Sequence, residues 1–159
     1  MKSAPGSPSG TVSVTRRLEW DAMHRIANHE SVCKAFHGHR YVAEITCSAP
    51  GLDELGRVID FGVIKSELGG WIDAHFDHTA ILQKDDPDPA ARAVIESNQA
   101  MGKPAYLLDG PPTAENIAIE LAVQAARLLR AYGITVTQIR VWETPNCSAT
   151  WTPGGTGQA

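Results

Sequence analysis

Cysteine is scarce in this chain of 159 residues: Cys33, Cys47 and Cys147 are all it has, an odd number with which no disulfide framework is complete. Positive charge is also short, with 14 Lys and Arg against 18 Asp and Glu and a net charge of -4. Nucleic acids and anionic membranes attract clustered positive charge, so neither is expected as a partner. Long apolar runs are missing too. The richest stretch, "AIELAVQAARLLRAYGI", carries Glu, Gln and Arg throughout and cannot span a bilayer. The opening "MKSAPGSPSG" has no apolar segment behind it and reads as a disordered tail over 1–10 rather than a signal peptide. Without an export signal, free thiols and a cytoplasmic location are expected.

What is present suits one globular domain over 11–159: 43% hydrophobic and 20% charged residues, and enough length for a real core. Period-2 alternation predicts a strand over 11–26. A second strand over 39–49 sets Tyr41, Ala43, Ile45 and Cys47 on one face. Asp60 is the expected N-cap of a helix over 62–75, whose apolar side is Ile64, Leu68, Trp71 and Ile72. A long connection follows at about 84–112, with a short helix around 89–101. Thr113 caps the next helix, which shows a stripe of Ile117, Leu121, Ala125, Leu128 and Tyr132 and stops at Gly133. Strands over 134–144 and 148–152 complete a ββααββ order. That order predicts an α+β fold, an antiparallel sheet with helices on one face. The other face needs a cover, so self-association is expected.

Chemistry concentrates in "CKAFHGHRYVAEI", residues 33–45. His37 and His39 are two apart at a strand start, so both rings point the same way, with Cα atoms about 6.5–7 Å apart. A hairpin would bring His24 across from them. A His-x-His pair alone is as often a solvent-facing strand edge. A third histidine on the neighbouring strand and a cysteine upstream favour a metal site. Three neutral imidazoles leave an open coordination position, as in a catalytic zinc centre. Gly38 leaves the opposite face bare for close packing. Cys33 is the candidate base or nucleophile beside that metal, whereas Cys47 and Cys147 are expected to be small buried hydrophobes. Asp77 and His78 form a relay only if the helix has ended before them, because adjacent helical residues do not face each other. Glu143 continues the apolar face of Ile139 and Val141, where a carboxylate needs a partner such as a planar amide–amine edge. Glu115 suits a first helical turn. His29 and His75 read as structural or exposed.

The motifs "CKAFHGH", "FDHTAIL", "PTAENIA" and "VWETP" occur in this order with fitting gaps, and from residue 11 to 152 the chain resembles the 6-pyruvoyl-tetrahydropterin and 6-carboxy-tetrahydropterin synthase family. The resemblance implies a tunnelling fold (T-fold) in barrel-like oligomers, usually a homohexamer built as a dimer of trimers, with active sites between subunits. It implies Zn2+ on His24, His37 and His39, a catalytic Cys33, a relay of Asp77 and His78, and a pterin-anchoring Glu143. Thr113 and Glu115 are further substrate-binding candidates. The implied substrate is 7,8-dihydroneopterin triphosphate. Lys34, Ala35 and Phe36 are the three residues between the cysteine and the His-Gly-His unit. The carboxy-forming enzymes of queuosine biosynthesis have three there and the biopterin-pathway enzymes five, so the resemblance is nearest the carboxy-forming branch. The pattern departs at 84–106, which is longer than in compact members, and at "EWDAMH", where the bulky Met23 precedes His24. Rival readings are pyruvoyl-tetrahydropterin synthesis, a folate-pathway variant on the same site, and a non-catalytic zinc-stabilised pterin-binding module.

Overall fold

Two strands of 12 residues each, β1 (Ser13–His24) and β2 (His37–Ser48), pair antiparallel along their whole length, from Ser13 opposite Ser48 to His24 opposite His37. They belong to a computed structural model that describes residues 9–154. The expected tail over 1–10 therefore lies, apart from Ser9 and Gly10, outside the described residues. Along β1, Leu18, Trp20, Ala22 and His24 are buried, and along β2 Tyr41, Ala43, Ile45 and Cys47. Trp20 stacks on Tyr41 with ring centroids 5.2 Å apart, the cross-strand aromatic pairing that stabilises a sheet face. Because side chains alternate, the histidines at the paired ends of β1 and β2 continue this core face.

The sheet order is β4-β3-β1-β2-β5-β6. β5 (Thr135–Thr144) pairs antiparallel with β2, and β6 (Cys147–Trp151) with β5. A register shift between Thr46 and Cys47 moves the buried set from Val136 to Ile139 and Val141, which leaves Glu143 next on that face. The expectation of a wholly antiparallel sheet needs correcting at one edge. β3 (Thr79–Gln83) runs parallel to β1 at Ala22–His24, and β4 (Tyr106–Leu108) runs parallel to β3. β4 lies inside the connection expected at about 84–112, and β3 in the stretch just before it, to which no strand was assigned. β3 is buried at four successive positions and so shows no alternation to read.

Helices cover the core face. Asp60 accepts a hydrogen bond from the amide of Gly62 at 2.7 Å, capping α1 (Phe61–Ile64). A π-helical turn, Lys65–Gly69, separates it from α2 (Gly70–His75), so the expected single helix contains a bulge. α3 (Pro89–Ala100) occupies the long connection, close to where a short helix was expected. α4 (Ala114–Leu129) buries Ile117, Leu121, Ala125 and Leu129, and its chain leaves through Gly133 at φ +67. Tyr132 falls outside the buried stripe because the helix tightens to a 3-10 turn at Arg130–Tyr132. Cys47 is buried as expected, and burial raises its thiol to about 11. Cys147 is exposed, contrary to expectation, because it follows the β5–β6 turn on an edge strand.

The opposite face of the sheet is charged. Arg40 bridges Glu19 at 3.1 Å and Asp21 at 2.6 Å, and Arg140 lies over the ring of Trp142. No helix among the described residues is long and apolar enough to cross a membrane.

Candidate metal centre

The hairpin register places His24 directly opposite His37, and β5 delivers Glu143 beside them. One ligand atom from each of His24, His37, His39 and Glu143 lies within 4.8 Å of the other three. The ring orientations are set from outside. His24 Nδ1 is 2.8 Å from the carbonyl oxygen of Pro112, and His37 Nδ1 is 2.8 Å from that of Ala35. A carbonyl only accepts, so each Nδ1 carries the proton and each neutral ring presents a lone pair at Nε2. Those two Nε2 atoms stand 3.0 Å apart. Facing lone pairs repel unless a proton or a cation lies between them. His39 Nε2 is buried with no aligned hydrogen bond, although Glu143 Oε1 is 3.0 Å away.

Electrostatics agree with this arrangement. Burial lowers the pKa of His24, opposed by its hydrogen bond to Pro112 and by Glu143, and burial likewise lowers that of His39. Neutral imidazole is the form that binds metals. The residues therefore fit a divalent cation, and three imidazoles with one carboxylate suit zinc or another first-row ion. Tyr41 forms the floor: its ring lies edge-on to His24 and His39, and its buried hydroxyl has no partner. Burial pushes its pKa upward.

Cys33 stands outside this four-residue cluster, half-buried in the 3-10 turn Val32–Lys34 of the β1–β2 loop. Its carbonyl accepts from the amide of Ile26 at 2.9 Å, which closes the loop at its base. Asp77 and His78 follow the end of α2 and meet directly, His78 Nδ1 to Asp77 Oδ2 at 2.6 Å. His78 adopts φ +56, a left-handed conformation that turns its exposed ring away from the helix axis. Its amide donates to Asp21 O at 2.7 Å, while Asp77 Oδ1 accepts from the Asp21 amide at 3.0 Å. An open depression of about 530 Å³ includes Met23, Gly38, His39, His78 and Asn98 in its lining.

Thr113 caps α4, accepting from the Asn116 amide at 3.3 Å, and Glu115 is exposed in the first turn. Neither belongs to the cluster. The Pro112 carbonyl could not be foreseen as the partner of His24, because a backbone acceptor carries no side-chain signature. Tyr41 was legible only as core, although its place two residues after His39 on the same face also puts it at the site.

Comparison with known proteins matches residues 13–153 to the family described as 6-pyruvoyl tetrahydropterin synthase. A 6-carboxy-5,6,7,8-tetrahydropterin synthase of Rickettsia bellii is 46% identical over 137 residues, covering 86% of this chain and 96% of that protein. The protein of the same name from Rickettsia felis is 43% identical over the same shares of both chains. In structure, an uncharacterized protein of Wolinella succinogenes superposes with a TM-score of 0.76 at 20% identity, covering 92% of this chain and 100% of that one. The Caenorhabditis elegans 6-pyruvoyl tetrahydropterin synthase gives 0.63 at 19% identity, with 91% and 97% covered. These two likenesses establish the T-fold. With a family match across nearly the whole described chain, and relatives this similar along almost their full length, the chain belongs to the 6-pyruvoyl tetrahydropterin synthase family.

Proposed function

We propose that the protein is a 6-carboxy-5,6,7,8-tetrahydropterin synthase: a zinc-dependent lyase that converts 7,8-dihydroneopterin triphosphate and one water to 6-carboxy-tetrahydropterin, acetaldehyde and triphosphate, in queuosine biosynthesis. The observation that carries the reading is the convergence of His24, His37 and His39 on one point, with Nδ1 of His24 and of His37 each held by a backbone carbonyl so that their Nε2 atoms face inward. The name borne by relatives at 43–46% identity supports the choice of branch, as does the three-residue spacing between Cys33 and His37.

His24, His37 and His39 would hold the ion, which when bound supplies Lewis-acid activation of the substrate's side-chain hydroxyls. Glu143 anchors the pterin ring by accepting from its amide and amine N–H groups, which sets the side chain beside the imidazoles. Cys33 thiolate removes a side-chain proton. His78, oriented by its 2.6 Å contact with Asp77, relays a proton at its free Nε2. The substrate side chain then breaks at a carbon–carbon bond. The active molecule is a homo-oligomer, a dimer of trimers, acting in the cytoplasm. The domain comprises residues 11–159, with Thr113 and Glu115 at the substrate's edge.

The test is incubation of metal-analysed protein with 7,8-dihydroneopterin triphosphate, followed by mass spectrometry. Acetaldehyde and 6-carboxy-tetrahydropterin are expected. A pyruvoyl product would move the protein to the other branch, and unaltered substrate with zinc fully loaded would sink the enzymatic reading.

A further inference from the structure

Arg25 follows the ligand residue His24 and is itself only 7% exposed. Its Nε is ion-paired with Oδ2 of Asp86 at 3.2 Å without an aligned hydrogen bond, the Asp86 side chain being just 2% exposed, and its Nη1 donates to Oδ2 of Asp88 at 2.8 Å. Its guanidinium also sits over the ring of Phe36, 5.4 Å from the centroid. Both carboxylates come from the short segment 84–88 between β3 and α3, where Asp88 also caps α3 by accepting from the Ala90 amide at 2.8 Å. The Asp88 side chain is 42% exposed, but Arg25 and Asp86 are buried, and replacing a buried ion pair by apolar groups of similar volume is often neutral or stabilising, so this pair is poorly explained by stability alone. Its placement suggests geometry instead. On one side of Arg25 is His24. On the other is Ile26, whose amide holds the Cys33 carbonyl at 2.9 Å. Against its guanidinium is Phe36, the last of the three residues between Cys33 and His37.

We propose that Arg25 is a positioning residue: pinned by Asp86 and Asp88, it fixes the β1–β2 loop through Ile26 and Phe36 and thereby sets Cys33 relative to the histidine cluster. This rests on the reading of Cys33 as the proton-removing group. It also gives the 84–106 stretch a task, that of supplying the two carboxylates that lock the mouth of the site. Lysine would keep the charge but not the planar fork that engages two carboxylates and lies flat on a ring.

The experiment uses the full-length, metal-loaded protein with Arg25→Lys and Asp86→Asn. Three quantities are read: kcat and KM with the pterin, bound metal, and the iodoacetamide alkylation rate of Cys33 with exposed Cys147 as internal reference. Both variants are expected to lower kcat about 10–100-fold with KM changed less than about threefold. Metal content should stay at the wild-type level, and the Cys33 alkylation rate should change at least about threefold while that of Cys147 does not. Folded variants with wild-type kcat and wild-type Cys33 alkylation would overturn the proposal. If Arg25→Lys fails to fold, Asp86→Asn decides. If the wild-type protein leaves the pterin unaltered, the proposed function fails, while the alkylation ratio still decides whether Arg25 sets Cys33.

Discussion

Glu143 Oε1 lies 3.0 Å from Nε2 of His39 and 3.6 Å from Nε2 of His24, although the three residues come from three different strands. The carboxylate therefore stands at the edge of the imidazole cluster, with two possible tasks: metal ligand or pterin anchor. As an anchor, Glu143→Gln keeps the volume but loses the charge-assisted pairing. Bound metal should be retained while KM for the pterin rises about 10–100-fold, the loss of a charged hydrogen bond. Loss of metal on the same substitution would make Glu143 a ligand instead.

Cys33 is separated from the four-residue cluster and held by the Ile26 amide. Cys33→Ala should lower turnover about 10²–10⁴-fold, the range for a positioned general base, with metal content unchanged. Elemental analysis beside the kinetics checks it. A protein that loses its metal, or one that keeps full turnover, contradicts the assignment.

The Asp77 carboxyl is pushed up by partial burial. The Asp21 amide, the His78 ring and Lys103 outweigh that, and its pKa lies below the ordinary carboxylate value. A depressed native pKa means that Asp77 contributes stability in full above the unfolded value of about 3.9, and that this is lost as pH falls through the native value. The stability difference between wild type and Asp77→Asn should therefore be largest near pH 5 and shrink toward pH 3. Urea midpoints across that window read it out, and a difference independent of pH would count against the ionised pairing.

Gly38 sits between His37 and His39, opposite Met23. A Cβ there would stand 3.1 Å from the carbonyl oxygen of Ala22, a backbone atom with little room to move. Gly38→Ala should cost about 1–3 kcal/mol in stability, the range for overpacking, and should weaken metal binding by spreading His37 and His39 from His24. Thermal unfolding with and without added zinc separates the two effects. Unchanged melting and unchanged zinc affinity would show that the strands absorb the extra carbon.

Local features were legible without coordinates. The caps at Asp60 and Thr113, the Gly133 terminus of α4 and the alternation of the β1–β2 hairpin all act within a few residues of one another. The grouping of His24 with His37 and His39 followed from the same alternation plus one assumed hairpin. The requirement that the helix stop before Asp77 was also readable, because a direct Asp–His contact is impossible between adjacent helical positions.

Sequence alone thus determined which side chains are available and which face of each strand they occupy, because periodicity and capping are local chemistry. Tertiary structure decided what holds them in place. The Pro112 carbonyl reaches His24 across 88 residues, and Asp86 reaches Arg25 from the segment that follows β3. The parallel edge strands pair through contacts that leave no alternation in "TAIL", since a strand buried on both faces has no polar side to reveal it. A backbone acceptor and a buried ion pair gain their meaning only from what the fold brings beside them. That is why the clustered histidines could be named from the sequence, and why the groups that aim them could not.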